Sequence, residues 1–264
     1  MNFDDALKQY LPRVWFRFKF LKYKYRGRGE AEVHLMRHLV EPGTTAIDIG
    51  SSIGLYSAEI SRHAGKVLAF EANPQIAAFA AKVAPRNVEV INVALSSQEG
   101  RASVRVPVHA GGHPIDELGT IEPSNPLHAA GIGAAEVPMR RLDDLGVTDC
   151  SFIKIDVEGH EESVLDGAAA LIAAQRPVVM AELNEPFTPG VVARVTSRFS
   201  ALSYRGYFFS GGRLQAVSLF DPALHQSTDA SALLSSTHAA GREYVNNFIF
   251  IPDEKSERVL ARIT

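Results

Sequence analysis

Two short segments of the sequence carry the residue types and the spacing that a nucleoside site needs. The run Asp48-Ile49-Gly50-Ser51-Ser52-Ile53-Gly54 follows an apolar segment and precedes a predicted helix. In that position Gly50 permits a tight turn, and Gly54 lets a ligand approach the first helical turn closely. Glu71 stands 21 positions after Gly50 (71 − 50), close to the separation of about 20 residues at which a carboxylate binds ribose hydroxyls. We therefore predict a ribose across the ends of the first two strands, although a glycine-rich turn can also form with no ligand.

The glycine pattern indicates which nucleoside fits this turn. A dinucleotide site requires Gly-x-Gly-x-x-Gly, so that a pyrophosphate lies on the helix N-terminus, and this chain has Gly50-x-x-x-Gly54 instead. The phosphate loop Gly-x-x-x-x-Gly-Lys is also missing from the sequence. S-adenosylmethionine carries no phosphate, and its amino-acid end needs only a close backbone and polar partners such as Asp48. The pattern therefore favours S-adenosylmethionine over NAD.

A second group of titratable residues follows two later apolar runs. Asp156, Glu158 and His160 follow one run closely, and Glu182 ends the next. Methyl transfer to a hydroxyl is an in-line displacement that also needs an acceptor for the hydroxyl proton. We predict Asp156, His160 and Glu182 as catalytic residues, with His160 as the base because of its ordinary pKa. His160 could instead simply begin the next helix, and Glu158 could cap that helix.

The same residues raise the question of a metal. Asp156, Glu182 and His160 offer the oxygen and imidazole ligands with which a hard divalent cation could orient a sugar diol. Their spacing is not diagnostic, however, so a divalent metal is possible but we assign no metal ligands.

The elements that must position these residues alternate between strand and helix from residue 29 onward. The predicted strands are 44–49, 66–71, 88–93, 151–156, 178–183, 205–209 and 246–251. The predicted helices are 30–40, 55–63, 74–84, 160–174 and 189–202. Such alternation implies a parallel sheet with right-handed crossovers. We predict an α/β fold with a doubly wound, Rossmann-like sheet of seven strands and an antiparallel last strand.

Two segments differ from this pattern, and they give the predicted domain organisation. Residues 1–28 form an N-terminal arm and 29–264 the main domain, with an irregular insertion at about 96–138 that is too long for an ordinary connector. Residues 11–28 hold seven basic residues, six aromatic residues and no acid. This composition suits a weak peripheral contact with an anionic surface. The alternative, which we favour, is that the aromatic residues pack on the domain while the charges remain solvated.

Composition excludes several classes of protein. The 264 residues are 46% hydrophobic, enough for one large domain. A net charge of −3 argues against a dedicated nucleic-acid binder, and a single cysteine, Cys150, excludes an internal disulfide framework. No apolar run reaches the roughly 18 residues of a membrane span, and the first residues are acidic where a secretory signal is basic. We therefore expect a soluble, cytoplasmic protein.

Three motifs resemble those of the FkbM family of S-adenosylmethionine-dependent methyltransferases. They are Asp48-Ile49-Gly50-Ser51-Ser52-Ile53-Gly54-Leu55-Tyr56-Ser57, Ala69-Phe70-Glu71-Ala72-Asn73-Pro74 and Phe152-Ile153-Lys154-Ile155-Asp156-Val157-Glu158-Gly159-His160-Glu161. The resemblance covers about residues 44–185 and implies a class I methyltransferase fold. It also implies a set of cofactor-binding residues: Asp48, Gly50, Ser52, Gly54, Glu71, Asn73, Ala94 and Leu95. The family usually has Gly-Ala-Asn in the first loop, where this chain has Gly50-Ser51-Ser52.

These observations lead to one functional hypothesis with two rivals. The hypothesis is an S-adenosylmethionine-dependent O-methyltransferase whose partner is a small-molecule or glycan acceptor. The enzyme would methylate a hydroxyl of a sugar, glycan or polyketide-like natural product. The first rival is an NAD-dependent oxidoreductase on a similar fold. The second rival is a non-catalytic nucleoside-binding module. The sequence predicts no oligomeric state.

Overall fold

A large twisted sheet forms the centre of the molecule. The structure is a computed structural model that describes residues 3–25, 30–107, 121–122, 131–226 and 244–263. Its strands are β1 (Thr45–Ile49), β2 (Lys66–Phe70), β3 (Val88–Ile91), β4 (Ala94–Leu95), β5 (Gly100–Pro107), β6 (Gly131–Arg140), β7 (Cys150–Ile155), β8 (Val178–Glu182), β9 (Tyr204–Ser210), β10 (Arg213–Ala216) and β11 (Asn247–Pro252). Eight of them form the central sheet in the order β10-β9-β11-β8-β7-β1-β2-β3.

Strand directions confirm the predicted α/β class. The strands β3, β2, β1, β7 and β8 are parallel, and β11 lies antiparallel between β8 and β9. The last strand is therefore antiparallel, as expected. The sheet has eight strands rather than seven, because Gly211 and Gly212 have φ of +60° and +77° and form the two-residue turn that a tight hairpin favours. That turn lets β10 pair antiparallel with β9 at the edge.

Helices cover both faces of the sheet. They are α1 (Phe3–Tyr10), α2 (Pro12–Tyr25), α3 (Met36–Leu39), α4 (Leu55–Ile60), α5 (Pro74–Val83), α6 (Glu161–Gly167), α7 (Ala169–Gln175), α8 (Val191–Ala201), α9 (Pro222–His225) and α10 (Asp253–Ile263). Short 3₁₀ turns span Ala31–Leu35, Leu142–Leu145 and Val217–Leu219. The predicted helix over 160–174 is divided into α6 and α7, which meet at Ala168.

The two faces of the sheet each pack against an apolar layer. Ile153, Phe208 and Phe250 belong to one buried cluster, while Phe152 and Ile249 belong to another. Strands of a parallel sheet covered on both faces are apolar along their whole length, which explains the short uncharged runs that the sequence shows. A charged side chain within such a strand therefore needs a specific partner.

The predicted irregular insertion contains regular structure at both ends. Strands β5 and β6 pair antiparallel, and β6 also pairs with β4, so that the three form a second small sheet. The expectation of an irregular segment over 96–138 is therefore wrong for 100–107 and 131–138. The remainder, apart from 96–99, 121 and 122, lies outside the described residues.

The N-terminal arm is helical and packs on the domain. Trp15 and Phe16 of α2 are buried in a cluster with Ile53 and Ile76, and the Trp15 ring meets Phe79 edge-on at 5.6 Å between centroids. This packing is what the favoured interpretation of the aromatic residues predicts for Trp15 and Phe16. No helix in the described ranges combines the length and the apolar character needed to cross a membrane.

Candidate active site

The turn between β1 and α4 is locked to both neighbouring strands. The N–H groups of Gly50 and Ser51 donate to the Phe70 carbonyl at 2.9 and 3.0 Å. Gly50 has φ of +78°, and a Cβ at this position would lie only 1.7 Å from the Asp156 carbonyl oxygen. Gly54 has φ of +89°, and a Cβ there would find its nearest heavy atom 3.9 Å away. Gly50 is therefore required by packing, whereas a Cβ at Gly54 would make only an ordinary contact and it is the positive φ there that favours glycine.

Glu71 is held by two backbone donors at the end of β2. Its Oε2 accepts from the Ser52 N–H at 2.8 Å, and its Oε1 accepts from the Asn73 N–H at 2.7 Å. Burial raises the pKa of Glu71 to about 7, although these two hydrogen bonds oppose the shift. Each carboxylate oxygen keeps a further lone pair, and Glu71 lines the large cavity of the molecule. The carboxylate is thus oriented and able to accept two more hydroxyl hydrogen bonds.

Asp48 has a buried carboxylate oxygen that accepts no hydrogen bond from the described residues. Its side chain is 1% exposed, and its Oδ2 accepts from the Ser57 hydroxyl at 2.5 Å. Among the described residues, neither the buried Oδ1 of Asp48 nor the buried hydroxyl of Ser51 has a hydrogen-bond partner. Both residues line the cavity. Unsatisfied buried polar atoms are rare, and an ammonium and a carboxylate, as on the amino-acid end of S-adenosylmethionine, fit this pair.

The strand β4 supplies the next part of the same wall. Val93, Ala94 and Leu95 line the cavity, and Ala94 and Leu95 are buried. The Asn92 amide donates to the carbonyls of Glu71 and Ala72, each at 2.8 Å. Ala94 and Leu95, which the resemblance implies as cofactor-binding residues, therefore lie beside the Glu71 end of the cavity.

Asn73 is placed differently from its predicted role. Its side-chain oxygen caps α5 by accepting from the N–H groups of Gln75 and Ile76. Ala72 lines the cavity, and Asn73 does not. The side chain of Asn73 is therefore a helix cap, and the residue serves the site only through the N–H that holds Glu71.

A row of polar side chains crosses four neighbouring strands on one face of the sheet. Asp48 pairs with Lys154 between β1 and β7, and Glu182 pairs with Asn247 between β8 and β11. Directly paired residues share a face, as do alternate residues along a strand. Asp156 therefore continues the row two positions after Lys154, at the carboxyl ends of the parallel strands, where α/β folds bind ligands.

Lys154 is the cation at the centre of this row. Its side chain is 2% exposed, and its Nζ lies 2.6 Å from Asp156 Oδ2 and 4.5 Å from the centre of the Tyr56 ring. Burial alone lowers the pKa of Lys154, but the carboxylates, that of Asp156 above all, raise it well above its usual value. Our sequence prediction did not include Lys154. Its position between two isoleucines of a predicted buried strand could have indicated an ion pair, because buried charges are almost always paired.

Three carboxylates converge at the end of this row. Asp156, Glu158 and Glu182 line the cavity, and one oxygen of each lies within 4.8 Å of the others. Burial raises the pKa of Glu158 to about 8, with further contributions from Asp156 and Glu161. The pKa of Glu182 also lies well above its usual value. Burial is the largest cause, and the negative charges of Asp156 and Glu158 raise the pKa further. The group can therefore hold and release a proton near neutral pH.

These carboxylates are a poor fit for a divalent metal. Three converging oxygens are suitable ligands in number and type. However, the Lys154 ammonium is bonded to Asp156 and already supplies positive charge there, so it would repel a second cation. We derive no step through a metal.

His160 lies away from the cavity. Its Nδ1 is 2.9 Å from Glu122 Oε2, and its Nε2 is 2.9 Å from the Ser96 hydroxyl. Both ring nitrogens are thus occupied, and His160 is not among the residues that line the cavity. The structure therefore does not bring His160 together with the other predicted catalytic residues: it stands just before α6 and ties that helix start to the Ser96 and Glu122 segments.

Glu30 is a second site residue that the sequence prediction lacked. Its Oε2 accepts from the Tyr56 hydroxyl at 2.6 Å and from the Asn247 amide at 2.7 Å. Glu30 lines the cavity and joins the N-terminal segment to the far end of the polar row. No local motif marks this residue, because its partners are 26 and 217 positions away in the sequence.

The cavity joins these parts into one space of about 1350 Å³. One end is the wall formed by the β1 turn, Glu71 and β4. Another part of the lining comes from α2, including Phe18, Lys22 and Tyr23. Small-molecule sites usually measure roughly 300–1,000 Å³, so this cavity has room for a second molecule beside a nucleoside.

Comparisons with known proteins identify the family to which the chain belongs. Residues 48–209, more than half of the chain, match the Methyltransferase FkbM domain. The crystal structure of the FkbM methyltransferase from Methylobacillus flagellatus KT is similar, with a TM-score of 0.50 and 14% identity. The likeness covers 88% of this chain and 47% of that one, so the chain spans about half the length of that protein.

Two further solved structures are more distantly similar. A putative methyltransferase from Streptococcus mutans in complex with SAH has 9% identity, a TM-score of 0.46 and coverage of 83% of this chain and 94% of that one. The precorrin-6y C5,15-methyltransferase from Geobacter metallireducens has 17% identity, a TM-score of 0.41 and coverage of 67% and 73%. No curated protein matches the chain. The domain match, together with the fold shared with the M. flagellatus protein, shows that the chain belongs to the FkbM methyltransferase family.

Proposed function

We propose that the protein transfers the methyl group of S-adenosylmethionine to a hydroxyl oxygen of a sugar, glycan or polyketide-like acceptor. The observation that carries this proposal is the meeting of two groups in one cavity. Asp48 and Glu71 offer free acceptors to a cationic nucleoside, and the carboxylates of Asp156, Glu158 and Glu182 converge in the same wall.

The cofactor end is preorganised by the backbone. When bound, S-adenosylmethionine supplies an electrophilic methyl group on a sulfonium and leaves as a neutral thioether. Glu71 accepts hydrogen bonds from the two ribose hydroxyls, since the N–H groups of Ser52 and Asn73 already fix its orientation. Asp48 accepts from the ammonium through its unpartnered Oδ1. These contacts fix the reacting atom before the acceptor binds, which is the main source of rate in a displacement of this kind.

The three converging carboxylates, Asp156, Glu158 and Glu182, accept the proton that the acceptor hydroxyl loses. On methylation this proton would pass to an ionised carboxylate among these three residues. Burial raises the pKa of Glu158 to about 8, close to the value at which a general base works best near neutral pH. Lys154 positions Asp156 through the 2.6 Å ion pair.

The other half of the cavity suits a hydroxyl-rich acceptor. Carboxylates and tyrosine hydroxyls bind the hydroxyls of such a molecule, while the rings of Phe18 and Tyr23 offer apolar faces beside them. The cavity volume also leaves room for an acceptor next to the cofactor.

The proposal is tested first by calorimetry with S-adenosylhomocysteine and with NAD. Saturable binding of S-adenosylhomocysteine is expected, and saturable binding of NAD alone would contradict the proposal. Methyl transfer from labelled S-adenosylmethionine is then measured over sugar-nucleotide, glycan and macrolide pools. With an acceptor in hand, Asp156→Asn should lose most turnover, while Asp166→Asn, the same change at a surface ion pair with Arg198, should retain it. Turnover of Asp156→Asn near that of the wild type would show that the reacting centre lies elsewhere.

A further inference from the structure

The segment 11–25 carries a continuous apolar stripe of exposed side chains along one side. It consists of Leu11, Val14, Phe18, Leu21 and Tyr25, whose exposed fractions lie between 41% and 64%. Their spacing alternates between three and four residues, so they share one face of the helix. These side chains form the longest run of large exposed apolar groups among the described residues.

A different face of the same helix holds the arm in place. Trp15 and Phe16 are 5% and 7% exposed, and Phe20 packs against the same cluster. Lys24 forms a 2.6 Å ion pair with Glu59, which adds to this attachment. The exposed stripe is therefore not needed to fix α2 on the domain.

Cations border the stripe on both sides. At about 100° per residue, Arg17 lies along one edge of the stripe and Lys22 along the other. Both side chains are exposed, and neither has a hydrogen-bond or ion-pair partner within the described ranges. Residues 11–28 contain no acid, so the charges that this segment itself places beside the stripe are all positive.

We propose that this face of α2 is an interfacial docking surface for an anionic membrane. Helices that lie in the plane of a bilayer combine leucine and aromatic side chains on one face with lysine and arginine beside it. Anionic lipids attract each such cation near the surface. A second copy of the chain is a poorer occupant, because its own Arg17 and Lys22 would meet the same positive charges.

The docking surface adjoins the opening of the cavity. Phe18, Leu21, Lys22 and Tyr25 belong to the stripe or its border, and they also line the cavity. Docking in this orientation places the opening at the interface, so that an acceptor enters from the membrane side. This consequence rests on the proposed function, whereas the docking itself does not.

The test is flotation of the full chain with two kinds of vesicle. One contains phosphatidylcholine alone, and the other contains about 30 mol % phosphatidylglycerol, an anionic lipid. We expect the wild type to float with the anionic vesicles and far less with the neutral ones, with binding that falls as salt rises. Leu11→Ser/Val14→Ser and Arg17→Glu should each lower the partition coefficient by roughly tenfold or more. None of these three residues lines the cavity, so S-adenosylhomocysteine binding should be unchanged.

Matched controls lie on other surfaces. Leu219→Ser/Leu224→Ser changes two leucines that are 63% and 62% exposed, and Arg213→Glu reverses an exposed charge on β10. Both controls should float like the wild type. The docking proposal is overturned if the wild type floats with neither vesicle, or if the controls lose as much binding as the α2 variants. A dimer in solution that Leu11→Ser/Val14→Ser dissociates would also overturn it, since the stripe would then be an interface between copies. If S-adenosylhomocysteine binds while flotation fails, only the docking proposal falls.

Discussion

The two ends of the cavity are built in different ways. The cofactor end comes from three short segments, 48–54, 71–73 and 92–95, and its geometry is set mainly by backbone groups that follow parallel strands. The proposed acceptor end comes from α2, Glu30 and the ends of β7 and β8, and its geometry is set by side chains in contact over long sequence distances. The geometry of a site built from backbone groups is fixed by the fold. A site built from side chains can change its substrate when those side chains are substituted.

Lys154 joins the two ends, and its loss should have the largest effect. Lys154→Met removes the cation that Asp156 and the neighbouring carboxylates share. Leaving a buried charge without its partner typically costs about 3–5 kcal/mol, so urea unfolding should show a loss of this order together with loss of turnover. Lys66→Met is the control, because Lys66 pairs with Glu89 on the surface, where an ion pair contributes about 1 kcal/mol or less. Equal losses in the two variants would show that Lys154 does not hold the polar row together.

Glu71 tests the cofactor end alone. Glu71→Ala should weaken binding of S-adenosylhomocysteine by roughly 2–4 kcal/mol, because charge-assisted bonds to both ribose hydroxyls are lost. Calorimetry measures this change. Glu71→Gln keeps one acceptor oxygen, so its dissociation constant should lie between those of the wild type and of Glu71→Ala. A change of less than tenfold in the dissociation constant for Glu71→Ala would count against its role on the ribose.

The acceptor end should make stability fall as pH rises. Burial raises the pKa of Glu158 to about 8 and that of Glu161 to about 7, both above the unfolded value of about 4.3. The folded state then binds more protons than the unfolded state between about pH 4.5 and 8, so its stability decreases across that range, by at most about 1.4 kcal/mol per pH unit for each group.

Denaturant unfolding of the ligand-free protein at pH 5.5 and 8.0 measures this slope. Glu158→Gln should flatten the slope, and Glu89→Gln, at an exposed carboxylate, should leave it unchanged. A stability that rises over this interval in the wild type and equally in Glu158→Gln would contradict the raised pKa of Glu158.

Ser52 offers the smallest expected effect. It has φ of +48°, a left-handed conformation that asparagine tolerates better than serine. Ser52→Asn, the residue usual in the family at this position, should stabilise the turn by less than about 1 kcal/mol while its N–H still holds Glu71. Thermal unfolding checks this, and a loss of stability would mean that the turn has no room for the longer side chain.

The contrast between the two ends also explains what could be predicted from the sequence. Asp48, Gly50 and Glu71 were predictable because a strand, a turn and a fixed spacing along the chain determine their positions. Ala94 and Leu95 followed from the same rule. Asp156 and Glu182 were predicted because each ends an apolar run, and the sheet brings both to one edge.

The remaining site residues depend on tertiary contacts. Glu30 reaches the site through Asn247, which is 217 positions away, so no local pattern marks it. The contacts of His160 with Ser96 and Glu122, which occupy both ring nitrogens, join segments 64 and 38 positions apart, so the sequence could not show that His160 lies away from the cavity. Lys154 could have been predicted from the sequence, since a lysine inside a buried strand requires a carboxylate nearby.

The most direct test is a crystal structure with S-adenosylhomocysteine bound. The account predicts that both ribose hydroxyls lie within hydrogen-bonding distance of Glu71 and that the amino group meets Asp48. It also predicts that the sulfur points toward Asp156, Glu158 and Glu182. A nucleoside bound elsewhere, or a ribose that turns away from Glu71, would contradict the account.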